Sequence, residues 1–236
     1  MKNILITGCS RGIGFETVKQ FALIDGINIL ALARNKKGLD KLKLDCKSIN
    51  SQSTIHTLSI DFTESNSFTE IALFLKKNKI GNLDLVIHNA GLLINKEFSE
   101  ISMDDLEESF KVNAYAPFLL TQKLLPFFSF NTHTIFISTM GGVQGSLKFP
   151  GLSAYSTSKS TLMTLTECLA EEYKSNDWIF NCLALGAVQT EMLEQAFPGY
   201  EAPLSAQEMA TYIYEFALNG KRYFNGKIIP VSITTP

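Results

Sequence analysis

Short apolar runs and amphipathic stretches alternate along the chain, which predicts strands and helices in turn. Ile4 to Ile6 reads as a first strand, and Ile13, Val18, Phe21 and Ala22 follow at helical spacing. The pattern repeats as Ile27 to Ala33 then Leu39 to Ile49, Ile55 to Ile60 then Phe68 to Leu75, and Leu83 to His88 then Leu106 to Leu125. It ends with Thr134 to Ser138, a helix over Ser153 to Ser175, Trp178 to Leu185, a helix over Ser205 to Leu218, and Lys227 to Val231. Near-continuous apolar strands separated by helices predict an α/β fold: a seven-stranded parallel sheet, doubly wound, covered on both faces. No repeat or linker divides the 236 residues, so one domain over 1–236 is expected.

In such a sheet, ligands lie beyond the carboxyl ends of the strands. The first strand ends in Thr7-Gly8-Cys9-Ser10-Arg11-Gly12-Ile13-Gly14, a strand–turn–helix sequence. Gly8, Gly12 and Gly14 let the backbone approach a ligand, and the free N–H groups at the helix start, flanked by Ser10, Arg11 and Ile13, suit a pyrophosphate. After the second strand stands Arg34, with no carboxylate beside it. A dinucleotide site places an acid there for NAD or an arginine for the 2′-phosphate of NADP, so NADP(H) is favoured over NAD(H), with Arg11 as a second positive charge.

The turn resembles the T-G-x-x-x-G-x-G of the short-chain dehydrogenase/reductase family, classical type, and later segments extend the resemblance over nearly the whole chain. Asp61-Phe62 is similar to the family's adenine-binding Asp-hydrophobic pair. His88-Asn89-Ala90-Gly91 is similar to its N-N-A-G beside the adenosine ribose, with His88 as a departure assigned no chemistry. Lys111-Val112-Asn113-Ala114 matches the segment whose Asn kinks a helix and holds a water in a proton relay. Here Pro117 lacks an N–H and crowds the Asn113 carbonyl four residues back. The resemblance implies a catalytic serine in an S-x-x-G pattern. Both Ser138-x-x-Gly141 and Thr139-x-x-Gly142 satisfy it, and Ser138 is chosen as the donor to a carbonyl oxygen. Asn181 to Thr190 resembles N-x-x-x-P-G-x-V-x-T, implying cofactor contacts from Gly186, Val188 and Thr190, with Leu185 in place of the proline.

Tyr155 and Lys159 are four residues apart and share a helix face. A neighbouring ammonium favours phenolate, so Tyr155 is expected to handle a proton while Lys159 tunes it. The resemblance gives Lys159 a second role on the nicotinamide ribose. It thus implies a Rossmann-type, NADP(H)-dependent oxidoreductase that transfers a hydride between nicotinamide and a carbonyl or alcohol substrate. The catalytic set would be Asn113, Ser138, Tyr155 and Lys159. The Thr-Gly-Cys-Ser start and Ser-x-Met-Gly also resemble the C-factor and sniffer-like carbonyl reductase branch. A non-catalytic nucleotide-sensing regulator of the same fold is the alternative.

Composition narrows the remaining choices. A formal net charge of -2 with scattered Lys and Arg argues against a nucleic-acid partner. No apolar run is long enough to span a bilayer and no signal segment precedes the first strand, so a cytoplasmic protein without membrane association is expected. Cys9, Cys46, Cys168 and Cys182 lack pairing or metal-ligand spacing, and His56, His88 and His133 suggest no metal site. Met192, Leu193, Phe197, Pro198, Gly199 and Tyr200 fall where the family closes a lid. With Leu92, Leu93, Leu147 and Phe149 they are expected to wall a site for a small to medium, largely uncharged carbonyl compound. The end, Ile229 to Pro236, lacks the Val-Asp-Gly-Gly of many relatives, and by analogy a homodimer or homotetramer is expected.

Overall fold

The expected strands pair through their main chains in the order β3-β2-β1-β4-β5-β6-β9, all parallel, in a computed structural model that describes residues 2–233. The sheet strands are β1 (Asn3–Thr7), β2 (Asn28–Ala33), β3 (Thr54–Ser59), β4 (Leu83–His88), β5 (Phe128–Thr139), β6 (Ile179–Leu185) and β9 (Lys227–Val231). The order reverses between β1 and β4, and the crevice for a ligand opens at that switch. Thr234 to Pro236, part of the divergent C-terminal segment, lie outside the described residues.

Alternation along each strand sorts the core into layers. Ile4 and Ile6 face one side and pack with Val18 and Phe21 of α1 (Gly12–Ala22), Leu39 and Leu42 of α2 (Lys36–Ile49), and Ile213 and Phe216 of α8 (Ala206–Asn219). Leu5, Leu30 and Val86 face the other side, against α3 (Ser67–Lys77) and α5 (Ala116–Leu124). Further along that side, Phe136, Phe180 and Cys182 pack on Leu162 of α6 (Ser153–Glu172).

Three elements depart from the sequence pattern. The helix expected over Leu106 to Leu125 is divided into α4 (Met103–Phe110), a π-helical turn at Lys111–Tyr115, and α5. With Pro117 unable to donate to Asn113, the ladder is rearranged, and Ala116 N reaches back to Lys111 O. Strand β5 starts six residues before Thr134, at Phe128, and there its pairing with β4 shifts register while Asn131 takes φ +66°. This start is held by Thr132 Oγ1 donating to Leu83 O at 2.7 Å and Ser129 Oγ to Asp84 at 2.9 Å. The segment expected to be a lid loop contains α7 (Glu191–Ala196) between two short strands, β7 (Val188–Gln189) and β8 (Leu204–Ser205), which pair with each other.

Two buried histidines tie the sheet to its helices. His133 Nε2 accepts from Asn181 Nδ2 at 3.1 Å, while its Nδ1 bonds to Ala217 O of α8 at 3.4 Å. His88 Nε2 bonds to Thr121 Oγ1 at 2.9 Å, and its ring stacks on Phe136. Burial pushes His133 down to about 4 and His88 down to about 3. Both are therefore neutral when folded, whereas an unfolded chain takes up protons below about pH 6.5. Their contribution is full above that pH and is lost as pH falls toward 4. Urea midpoints are predicted to decline between pH 7 and 5, each histidine contributing up to about 1.4 kcal/mol per pH unit. A His133→Gln variant with an undiminished slope would refute this account.

Candidate active site

Helix α1 differs from its neighbours at its first turn. Helices α4 and α8 each begin with a capping box, Ser102 with Asp105 and Ser205 with Glu208, which places a carboxylate on the leading N–H groups. Helix α1 begins after Arg11 with no side-chain cap and no acidic residue in its first turn. Its leading donors suit an anion.

The turn leading into α1 interlocks with the end of β4. Thr7 Oγ1 accepts from Asn89 N at 3.1 Å and Ala90 N at 2.9 Å, while Asn89 Nδ2 donates to Thr7 O at 3.0 Å and Gly8 O at 3.3 Å. Gly8 has φ +76°, and a Cβ on Gly14 would stand 2.4 Å from both Gly8 O and Asn89 Nδ2. Only hydrogen fits there. Asn89 thus acts through its bonds to the turn, a role the spacing alone does not reveal, as is that of Thr7.

A cavity of about 640 Å³ runs from this turn along the carboxyl ends of the strands. Gly8, Ser10, Arg11, Gly12 and Ile13 line it near α1, Arg34, Asp61 and Phe62 at the ends of β2 and β3, and Asn89, Ala90 and Gly91 after β4. Gly186, Val188 and Thr190 line it after β6, with Thr190 Oγ1 capping α7 through Leu193 N at 3.2 Å. Leu185 continues the strand and Gly186 N donates to Val231 O at 2.8 Å, so the main chain keeps its direction without the proline. Gly14 lies beneath the cradle. Arg34 stands 3.8 Å from Asp61, both partly exposed, and Asp61 Oδ1 also accepts from Thr63 N and Oγ1. The room left by the glycines, the uncapped helix and the arginine all fit a dinucleotide.

Tyr155, Lys159, Ser138 and Thr139 line the same cavity. Asn113 is fully buried behind it. Its Oδ1 accepts from Leu92 N and its Nδ2 donates to Leu92 O, both at 2.8 Å, and also to Ser158 Oγ at 3.0 Å. Ser158, inside the Tyr155–Lys159 stretch, is a partner that the motif did not single out.

The two candidate hydroxyls point to different tasks, because adjacent residues on a strand face opposite ways. Ser138 is 3% exposed, and its Oγ donates to Lys159 O at 2.8 Å. Its one proton is committed to helix α6. Thr139 is partly exposed, and its Oγ1 accepts from Gly141 N at 3.3 Å, which leaves its own proton for a ligand. The expectation that Ser138 donates to substrate therefore meets a hydroxyl already engaged.

The ammonium expected to tune Tyr155 is held by main-chain carbonyls. Lys159 Nζ donates to Ile137 O at 2.9 Å and to Ala90 O at 3.4 Å. A Cβ on Gly91 would lie 3.1 Å from that nitrogen, so the glycine makes room for the ammonium. Burial lowers Lys159 to about 8 and pushes Tyr155 up to about 12. Desolvation sets the phenol, which is a protonated acid at neutral pH. Among the described residues, no hydrogen bond engages its hydroxyl.

The apolar wall is partly as expected. Leu93, Phe149, Met192, Leu193, Phe197 and Tyr200 line the cavity, whereas Leu92 and Leu147 do not, Leu147 being largely exposed. Met140 and Leu152 complete it from the loop after β5 and the start of α6. No cluster of metal-ligating side chains occurs among the described residues.

Fold and site together define a dinucleotide-binding oxidoreductase. A family model of short chain dehydrogenases matches residues 2–201, and the chain belongs to that family, whose members are NAD(P)-dependent oxidoreductases. It is 33% identical over 202 residues to the uncharacterized oxidoreductase YciK of Escherichia coli, covering 83% of this chain and 77% of that one. It is 28% identical over 169 residues to human estradiol 17-beta-dehydrogenase 11, covering 72% of this chain but only 55% of that one. A short chain dehydrogenase from Escherichia coli CFT073, solved with NADPH, superposes with a TM-score of 0.86 at 28% identity, covering 97% of this chain and 95% of that one.

Replacing Gly14 by Ala tests the cradle. The variant is predicted to lose about 1–3 kcal/mol of stability through overpacking and to bind NADPH at least about tenfold more weakly as the turn shifts. Fluorescence titration of NADPH and urea denaturation, both unchanged, would contradict the packing described.

Proposed function

We propose that the protein interconverts small to medium, largely uncharged carbonyl compounds and their alcohols with NADP(H). The observation that carries this reading is the convergence of Tyr155, Lys159 and the Thr139 hydroxyl on a cavity that also takes in Arg34 and is walled by apolar side chains. Arg34, with Arg11 lining the same cavity from the glycine turn, supports a 2′-phosphate over a bare ribose, and no acidic residue ends β2. When bound, the nicotinamide supplies the hydride for reduction or receives it in oxidation.

Thr139 takes over the task expected of Ser138 and donates to the carbonyl oxygen as negative charge develops. Tyr155 gives its proton to that oxygen. A phenol held near 12 starts reduction fully protonated, and the nearby Lys159 ammonium steadies the phenolate left behind. Asn113 is a positioning residue, fixing the Leu92 main chain and Ser158 at the base of the site. Met192, Leu193 and Phe197, carried by or next to α7, exclude water over the substrate.

The enzyme is read as cytoplasmic, with its four cysteines free thiols. Half-exposed Tyr115, Phe118 and Leu119 on or beside α5 support self-association into a dimer or tetramer. No helix among the described residues is long and apolar enough to cross a membrane.

Consumption of NADPH with a panel of apolar aldehydes and ketones tests the reading. Tyr155→Phe is predicted to lower kcat by about 10³-fold and Thr139→Val by about 10²-fold. Wild type and Tyr155→Phe equally inactive across the panel, with NADPH still bound tightly, would instead indicate a nucleotide-sensing regulator. Because Lys159 titrates near 8, reduction is predicted to slow as pH rises through that value. Arg34→Asp is predicted to weaken NADPH far more than NADH, and equal losses would reject the 2′-phosphate assignment.

A further inference from the structure

The Ser138 hydroxyl takes no part in the chemistry above, yet it is buried and fully engaged. Its Oγ donates to the main-chain carbonyl of Lys159 at 2.8 Å. The Nζ of the same lysine donates to the carbonyl of Ile137, one residue earlier on β5, at 2.9 Å. Two consecutive strand residues therefore grip Lys159 at both ends, one by its backbone and one by its ammonium. Ser138 in turn lies opposite Ala184 of β6, so the strand that carries the grip is itself paired on that side.

We propose that Ser138 is a positioning residue that fixes Lys159 through its backbone, so that the ammonium presents its remaining N–H to the cavity. The donors of an ammonium are tetrahedral, and with two of them directed at Ile137 O and Ala90 O the direction of the third is set. A four-carbon stem anchored only at its tip would leave that direction to the position of helix α6. Ser138 removes this freedom by bonding the strand to the helix at the lysine itself. The titratable groups that interact with the ammonium are His88 at the end of β4 and Cys182 on β6, with Tyr155 one helical turn away on its own helix, and all three are neutral at pH 7. Placement, not pairing with a carboxylate, governs what the charge does.

The proposal rests on the oxidoreductase reading, and the test separates the two. Ser138→Ala is expected to lower kcat about tenfold, well short of the loss for Thr139→Val or Tyr155→Phe, and to leave the KM of an apolar ketone within about twofold. In the unliganded protein, the Lys159 titration midpoint, read by NMR of the labelled side chain, is expected to move upward by about half a pH unit or more as the loosened ammonium gains water. Ser138→Thr, which keeps the hydroxyl, is expected to restore both. If Ser138→Ala does not fold, Ser138→Cys, with a similar size and a weak donor, carries the same comparison. A loss as deep as that of Thr139→Val would make Ser138 a catalytic group and overturn the proposal. Unchanged kcat with an unchanged Lys159 midpoint would overturn it as well. If the wild type turned over no carbonyl compound, the functional reading would fail, while the NMR titration would still decide the role of Ser138.

Discussion

A buried ammonium is the constraint around which this site is arranged. Lys159 is 3% exposed, and no carboxylate among the described residues pairs with it. Removing such a charge from water costs several kcal/mol unless other groups solvate it. The carbonyls of Ile137 and Ala90 do so, which requires β4 and β5 to end at matched heights and α6 to lie across them. Gly91 must lack a side chain for the nitrogen to fit, and Asn113 must hold Leu92 so that the chain after Gly91 follows one path. The Lys159 end of the cleft is therefore a single packing solution, not a set of independent side chains.

The other end is shaped by what is missing. Helix α1 lacks the capping carboxylate that α4 and α8 carry, and its leading N–H groups keep their positive potential for a ligand. The turn before it is pinned by Asn89 and Thr7, so the glycines give close approach without looseness. Preorganisation of this kind lets binding energy serve orientation instead of ordering the loop.

Over the substrate the arrangement is lighter. Helix α7 has no buried residue, and its last carbonyl, Ala196 O, accepts from Asn95 Nδ2 at 2.7 Å, an exposed bond from the loop after β4. Few buried contacts and a solvent-facing tether mark a segment that opens at low cost, as a cover over a cavity must. The cleft thus has a densely bonded half around Lys159 and a lighter half at α7.

Much of this was legible in the order of residues. The apolar runs gave the strands, Thr7 to Gly14 the glycine turn, and the four-residue spacing the shared helix face of Tyr155 and Lys159, because each depends on local period or on a turn a few residues long. What stayed hidden depends on contacts far apart in the chain. The start of β5 is held by Leu83 and Asp84 across an irregular register with β4, a long-range arrangement that the local pattern does not carry. The S-x-x-G spacing is met by both Ser138 and Thr139, and only the pleat of β5 against α6 decides which hydroxyl is spent on Lys159. Likewise, helical spacing brings Tyr155 and Lys159 to one face, but the carbonyls of residues 69 and 22 positions earlier decide where the ammonium points. Sequence fixes what a short segment can be; the direction of a buried hydrogen bond is set by whichever distant backbone group reaches it first.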